Sequence, residues 1–112
     1  GHSLGGIFLA KYLSENTFPV KIKATILVAA PFDDEDSGES LSDFKLPPSL
    51  KKFSEQGGEI YLIQRKHDSV VRFGELEKYK QALPEAKTMA FKDREHFNQE
   101  FFPEIIKLIR TL

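Results

Sequence analysis

The sequence begins with Gly1-His2-Ser3-Leu4-Gly5-Gly6, and this stretch decides the fold. Its first five residues fit the pattern Gly-x-Ser-x-Gly, in which a serine sits on a sharp turn between a strand and a helix. We assign Gly1 and Gly5 to the tight turn and to the close approach of helix and strand, with Gly6 adding to that tolerance. The pattern alone also occurs by chance at loop–helix junctions, so the rest of the chain has to decide its meaning.

Downstream of this turn, helix and strand patterns alternate along the chain. Apolar residues at helical spacing predict a helix over residues 4–13 that is apolar nearly all round and therefore buried. Similar patterns predict strands at 23–30, 59–64 and 88–91 and helices at 49–56, 75–83 and 101–112. Strands that alternate with helices imply a parallel sheet with right-handed crossovers. The expected fold class is therefore α/β, with three α/β/α layers.

Composition excludes several classes of function. The chain has 112 residues, with 16 Lys and Arg against 17 Asp and Glu, so no charge bias indicates a nucleic-acid or membrane partner. There is no cysteine, and the three histidines lack zinc-like spacing, so we expect no metal and no cofactor. The acidic run at 33–36 fails the EF-hand pattern and is interpreted as a solvated loop. The longest apolar run, residues 24–32, is too short to cross a bilayer, and a cytoplasmic location fits these features.

Candidate catalytic residues follow successive predicted strands. A parallel sheet gathers reactive groups at the carboxyl ends of its strands, and Asp68 follows the second strand while His96 follows the third. The chain order Ser3, Asp68, His96 is the Ser–acid–His order of α/β-hydrolases. His96 would take the serine proton and return it to the leaving group, and Asp68 would hold the other ring N–H. The backbone N–H of Leu4 would supply one oxyanion donor. His2 is expected to point away from the serine.

Each member of this constellation has an alternative explanation. Asp68 also suits a turn before a helix, and His96 also suits packing beside the last helix. Asp93 and Glu95 are rival candidates for the acid. Both lie within three residues of His96 on one short loop, and so short a stretch of chain would struggle to fold back and orient the His96 imidazole. His67 is suited to shaping the pocket. The three residues together, in order and each at its strand end, favour the catalytic interpretation.

Longer stretches carry a resemblance to a known family. They are Gly-His-Ser-Leu-Gly-Gly at 1–6, Leu-Val-Ala-Ala-Pro-Phe at 27–32, Pro-Pro-Ser-Leu-Lys-Lys-Phe at 47–53, His-Asp-Ser-Val-Val at 67–71 and Glu-His-Phe-Asn-Gln-Glu-Phe-Phe-Pro-Glu-Ile-Ile at 95–106. With these motifs the sequence resembles the small serine hydrolases typified by retinoblastoma-binding protein 9, within the α/β-hydrolase fold. The resemblance implies Ser3 as nucleophile, Asp68 as acid and His96 as base. It also implies small acyl esters as test substrates and, for some members, protein partners. Glu95 departs from the glycine usual before this histidine and brings a charge beside the base.

We therefore interpret residues 1–112 as the C-terminal part of a single α/β-hydrolase domain that starts at the serine turn, with its upstream strands missing. We expect an esterase-like serine hydrolase that acts on small carboxylic esters through an acyl-enzyme. The 112-residue chain alone is expected to be nearly inactive, because Ser3 has no strand to hold its turn and the oxyanion hole is incomplete. The alternative is a non-catalytic protein-interaction module on the same scaffold.

Overall fold

A computed structural model of the chain describes residues 1–33, 45–65, 74–91 and 103–112. Within these ranges, seven elements follow one another: α1 (Leu4–Glu15), β1 (Ala24–Val28), α2 (Lys51–Gln56), β2 (Glu59–Arg65), α3 (Gly74–Ala82), β3 (Lys87–Phe91) and α4 (Pro103–Thr111). Their order is the order predicted from the sequence. Helix α4 begins at Pro103, where the missing N–H of proline costs no helical hydrogen bond.

The three strands form one parallel sheet in the order β1-β2-β3. Ala24 of β1 aligns with Glu59 of β2, and Tyr61 of β2 aligns with Lys87 of β3. Because all strands run in the same direction, their carboxyl ends lie at one edge of the sheet. The predicted parallel sheet is confirmed.

The first three residues add to the outer edge of β1. His2 pairs with Val28 in parallel, the Val28 N–H donates to the Gly1 carbonyl at 2.8 Å, and the Ser3 N–H donates to the Val28 carbonyl at 2.9 Å. No strand precedes Ser3 among the described residues, as expected, but these hydrogen bonds join residues 1–3 to the edge of β1 as a short paired strand end that helps to hold the turn.

Helices cover both faces of the sheet. On one face, α1, α2 and α3 pack on β1 and β2 around a core that includes Leu13, Leu27, Phe53, Leu62 and Tyr79. On the other face, Ile105 and Leu108 of α4 pack against Val28, Ala29 and Ile63. Strands that are covered on both faces are apolar along their whole length, which explains the continuous apolar run of β1. The arrangement is the expected three-layer α/β/α structure.

Helix α1 is buried on one side only. Its buried residues are Gly6, Ile7, Ala10 and Leu13. A second apolar stripe at four-residue spacing is exposed: Leu4 to 51%, Phe8 to 56% and Tyr12 to 39%. The prediction of a helix buried nearly all round is wrong on this side, because periodicity reports apolar residues and not the element that covers them.

The closing helix α4 also differs from its prediction. The helical spacing of its apolar residues predicts an inner face made of Phe101, Phe102, Ile105, Ile106, Ile109 and Leu112. Ile105 does pack against the sheet, but Leu108 packs beside it, while Ile106 and Ile109 are 38% and 54% exposed. Within the described ranges, no helix combines the length and apolar character needed to span a membrane.

Candidate active site

Ser3 occupies a strained turn between the paired strand end and α1. Its φ of 55° and ψ of −124° define a backbone conformation that residues other than glycine rarely adopt. It directly precedes Leu4, the first residue of α1, and its side chain does not cap that helix. Strain of this kind is maintained only when surrounding structure imposes it, and it is concentrated at functional sites. The turn is therefore the first candidate for chemistry in this chain.

Backbone hydrogen bonds hold the turn from the helix side as well. The Gly6 and Ile7 N–H groups donate to the Ser3 carbonyl at 2.9 and 3.3 Å, and the Gly5 N–H donates to the His2 carbonyl at 3.0 Å. Within the described part of the chain, the Leu4 N–H has no acceptor, as is usual in the first turn of a helix. A free N–H at a helix N-terminus is suited to an anion. This N–H is the one that the sequence assigns to an oxyanion.

The glycines around Ser3 have different roles from those predicted. A Cβ on Gly1 would lie 2.7 Å from the Gly6 Cα, and a Cβ on Gly6 would lie 2.6 Å from the Ala30 Cβ. A Cβ on Gly5 would meet nothing within 4 Å. The assignment of Gly5 to a close approach is therefore wrong, because the helix turns Gly5 outward and Gly6 toward β1. Gly6 is the residue that brings α1 against the sheet.

The other two predicted catalytic residues belong to segments that begin at the same sheet edge. β2 ends at Arg65 and β3 ends at Phe91, both at the carboxyl edge where Ser3 is found. Asp68 and His96 themselves lie outside the described residues, as do the neighbouring candidates His67, Asp93 and Glu95. The topology agrees with the order of the candidate residues in the chain, and the triad stays a prediction.

A second strained residue follows β1. Ala29 is fully buried and has a φ of 51°, and its N–H donates to the Ile63 carbonyl at 2.8 Å. The turn at Ala29 directs the next residues away from the sheet and toward α3. Sequence reasoning missed this turn, since Ala is not a residue that marks a left-handed conformation.

A buried carboxylate holds the chain beyond that turn. Glu75, in the first turn of α3, is 3% exposed, and its Oε1 accepts the backbone N–H of Phe32 at 3.2 Å and that of Asp33 at 3.4 Å. The Lys78 ammonium lies 3.0 Å from the other Glu75 oxygen, as an ion pair without hydrogen-bond alignment, and 2.7 Å from Asp33 Oδ1. The acidic run is therefore not wholly solvated: Asp33 is held by α3, while residues 34–36 lie outside the described ranges.

Tyr79 completes this contact between the end of β1 and α3. Its hydroxyl donates to the Pro31 carbonyl at 2.8 Å, and its ring meets Phe32 edge-on with centroids 5.0 Å apart. Burial, with a smaller contribution from the Glu75 charge, raises the pKa of Tyr79 far above its usual value. We call Asp33, Glu75, Lys78 and Tyr79 the β1–α3 clamp. Sequence patterns do not predict this cluster, because an acid in the first turn of a helix usually faces solvent.

The part of the chain that the structure describes contains no candidate metal-binding site. No group of three or more His, Asp or Glu residues in those ranges is arranged to hold an ion.

Comparisons with known proteins extend the fold assignment. No protein-family model and no curated protein sequence matches the chain. Among solved structures, the ydeN gene product from B. subtilis is similar with a TM-score of 0.85 at 19% identity, over 98% of this chain and 61% of that one. The esterase domain of a Rhodothermus marinus protein is similar with a TM-score of 0.62 at 22% identity, over 86% of this chain and 49% of that one.

These likenesses concern the fold alone. The chain spans less than two thirds of either similar structure. They do not extend to the narrower family typified by retinoblastoma-binding protein 9. The parallel sheet and its two helical layers agree with the fold of these structures. The chain has a partial three-layer α/β/α fold of the α/β-hydrolase type.

Proposed function

We propose that this chain carries the nucleophile of a serine hydrolase that acts on small carboxylic esters. The observation that supports this most is the conformation of Ser3, with φ of 55° on a turn between a paired strand end and a helix N-terminus. Such a turn exposes a serine hydroxyl at the carboxyl edge of the sheet. The fold of the similar esterase domain supports the same reaction class.

In the proposed reaction, Ser3 Oγ attacks the ester carbonyl carbon while His96 takes the hydroxyl proton. The carbonyl electrons move to the oxygen, and the Leu4 N–H stabilises that oxyanion. Collapse of the intermediate breaks the bond to the alcohol, which leaves with the proton from His96. Water then attacks the acyl-enzyme while His96 takes its proton, and collapse of this second intermediate breaks the bond to Ser3 Oγ, releases the carboxylic acid and returns the proton from His96 to Ser3. Asp68 orients the ring throughout.

We also propose that the chain works as the C-terminal part of a longer α/β-hydrolase domain. One oxyanion donor is rarely sufficient, and the second would come from a loop of the upstream part. The absence of cysteine fits an intracellular enzyme. As part of this proposal, we place the longer domain among the small serine hydrolases typified by retinoblastoma-binding protein 9.

The test is covalent labelling by a fluorophosphonate, read by intact mass. It is applied to a form with upstream residues restored, to its Ser3→Ala and His96→Ala variants, and to the exposed control Ser54→Ala. We expect one adduct on the unsubstituted protein and on Ser54→Ala, and none on the other two. A folded protein that takes no adduct would contradict the proposal and favour an interaction module, for which the exposed apolar stripe on α1 is the candidate surface.

A further inference from the structure

The segment that ends β1 and leads away from it contacts both the serine turn and the β1–α3 clamp. At one end, the Val28 carbonyl accepts the Ser3 N–H at 2.9 Å. At the other end, the backbone N–H groups of Phe32 and Asp33 donate to the buried Glu75 carboxylate at 3.2 and 3.4 Å. A very short piece of chain therefore links the candidate nucleophile to a buried acid on another helix.

The middle of this segment has little freedom to absorb a movement. Ala29 is fully buried with a φ of 51°, and its N–H is fixed by the Ile63 carbonyl at 2.8 Å. Ala30 lies so close to Gly6 that a Cβ on Gly6 would come within 2.6 Å of the Ala30 Cβ. The Gly6 N–H in turn donates to the Ser3 carbonyl at 2.9 Å. Because the contact is close-packed, a shift of Ala30 would move the first turn of α1 with it.

Glu75 holds the far end of this strained segment. A left-handed conformation at a residue other than glycine persists only where the surrounding structure imposes it. The Glu75 side chain is 3% exposed, so water does not replace it as the acceptor for the two N–H groups. Tyr79 adds a second contact, since its hydroxyl donates to the Pro31 carbonyl at 2.8 Å. Movement of the segment would leave buried polar groups unpaired, which is costly.

We propose that Glu75 is a positioning residue for the Ser3 nucleophile and acts through residues 28–33, without contact to the substrate. Its carboxylate fixes the far end of the segment, and the strained turn carries that constraint back to the end of β1. There Val28 holds the serine turn from the strand side, and Ala30 holds it from the helix side. The catalytic consequence rests on the proposed serine hydrolase, whereas the structural one does not, so the two can fail separately.

The structural test is amide hydrogen exchange in the 112-residue chain and its Glu75→Leu and Glu75→Gln variants, with the exposed Glu77→Gln as matched control. The reporters are the Ser3 and Gly6 amides, and the reference is the buried Gly57 amide near the opposite end of β1. We expect Glu75→Leu to speed exchange at the reporters by about tenfold or more relative to the reference. Glu75→Gln keeps an acceptor oxygen and should recover most of the difference, and Glu77→Gln should change nothing.

The catalytic test is the rate at which a fluorophosphonate labels Ser3, measured against probe concentration in the form with upstream residues restored. We expect Glu75→Leu to lower the saturating rate by about tenfold or more, because attack needs an aligned Ser3 Oγ. The probe concentration at half-saturation should stay nearly the same, and Glu75→Gln should recover most of the rate. An unsubstituted protein that takes no label would contradict the proposed hydrolase, and exchange would then decide the positioning role alone.

Three results would overturn the inference. The first is unchanged exchange at the reporter amides in Glu75→Leu, and the second is equal acceleration at Gly57, which would make Glu75 a general stabiliser of the fold. The third is an unchanged labelling rate in a folded Glu75→Leu protein. If Glu75→Leu does not fold, Tyr79→Phe decides, because it removes the other side-chain hydrogen bond to the same segment. Faster exchange at Ser3 than at Gly57 is then expected, and equal changes would overturn the inference.

Discussion

The serine turn and the β1–α3 clamp lie on two sides of the end of β1 and are held by opposite means. Backbone hydrogen bonds to Val28 and the absence of side-chain atoms at Gly1 and Gly6 fix the turn. Charged and hydroxyl side chains fix the clamp. The turn has no room for an added atom at Gly1 or Gly6, whereas the clamp depends on side-chain atoms that cannot be removed without loss. The end of β1 is therefore held on one side by close packing of backbone and on the other by charged and hydroxyl side chains.

Removing the clamp carboxylate is expected to have the largest effect. Glu75→Leu leaves two backbone N–H groups without their acceptor and removes one of the two carboxylates paired with the Lys78 ammonium, and we expect a loss of about 2–3 kcal/mol in the free energy of unfolding. Urea denaturation measures it. Glu77→Gln, an exposed acid in the same helix, is the matched control and should change little. If both variants have equal stability, Glu75 does not hold the end of β1.

Adding one methyl group to the turn should come next. Gly6→Ala brings a Cβ to 2.6 Å from the Ala30 Cβ, so α1 has to move away from β1, at about 1–3 kcal/mol. Gly5→Ala is the control, because its Cβ meets nothing within 4 Å and alanine favours a helix over glycine by up to about 1 kcal/mol. Gly6→Ala should therefore lower the midpoint of thermal or urea unfolding, and Gly5→Ala should raise it. Equal losses in both variants would mean that contact with Ala30 does not explain the need for glycine at position 6.

Tyr79→Phe tests the hydroxyl of the clamp and its dependence on pH. At neutral pH we expect a loss of about 1 kcal/mol, since the buried Pro31 carbonyl loses its donor. The folded-state pKa of Tyr79 is raised, so its stabilising effect is complete below the unfolded pKa of about 10 and is lost as pH rises above it. The unsubstituted chain should therefore lose stability above about pH 10 more steeply than Tyr79→Phe. Tyr12→Phe, on the exposed side of α1, is the control and should keep the steep slope.

The smallest effect is expected from an exposed ion pair on α1. Lys11 and Glu15 are 2.8 Å apart at helical spacing, and both side chains are partly exposed. We expect Lys11→Ala to cost at most about 0.5 kcal/mol, because solvent screens such pairs. The free energies of unfolding of Lys11→Ala and of the unsubstituted chain, measured at low and at high salt, should converge at high salt. A loss as large as that of Glu75→Leu would mean that charge stabilises this fold equally at exposed and buried sites.

The sequence predicted the order of elements and the parallel sheet because apolar periodicity depends on local spacing alone. It missed the exposed stripe of α1, since periodicity does not say which element covers a face. It assigned the close approach to Gly5 and only a supporting role to Gly6, because these roles depend on the rotation of α1 relative to β1. It also missed the clamp, in which Glu75 meets residues far away in sequence.

The parallel register has a consequence for the kinetics of folding. His2 pairs with Val28, Ala24 with Glu59, and Tyr61 with Lys87, so each strand pairing among the described residues spans an entire helical crossover. The described ranges contain no hairpin that could form early, and each of these pairings has to close a long loop before any ladder bond forms. We therefore expect slow collapse of the sheet relative to its helices, with the edge of β1 exposed until Gly1 and Ser3 pair with it. During that interval the chain is most susceptible to association with other copies.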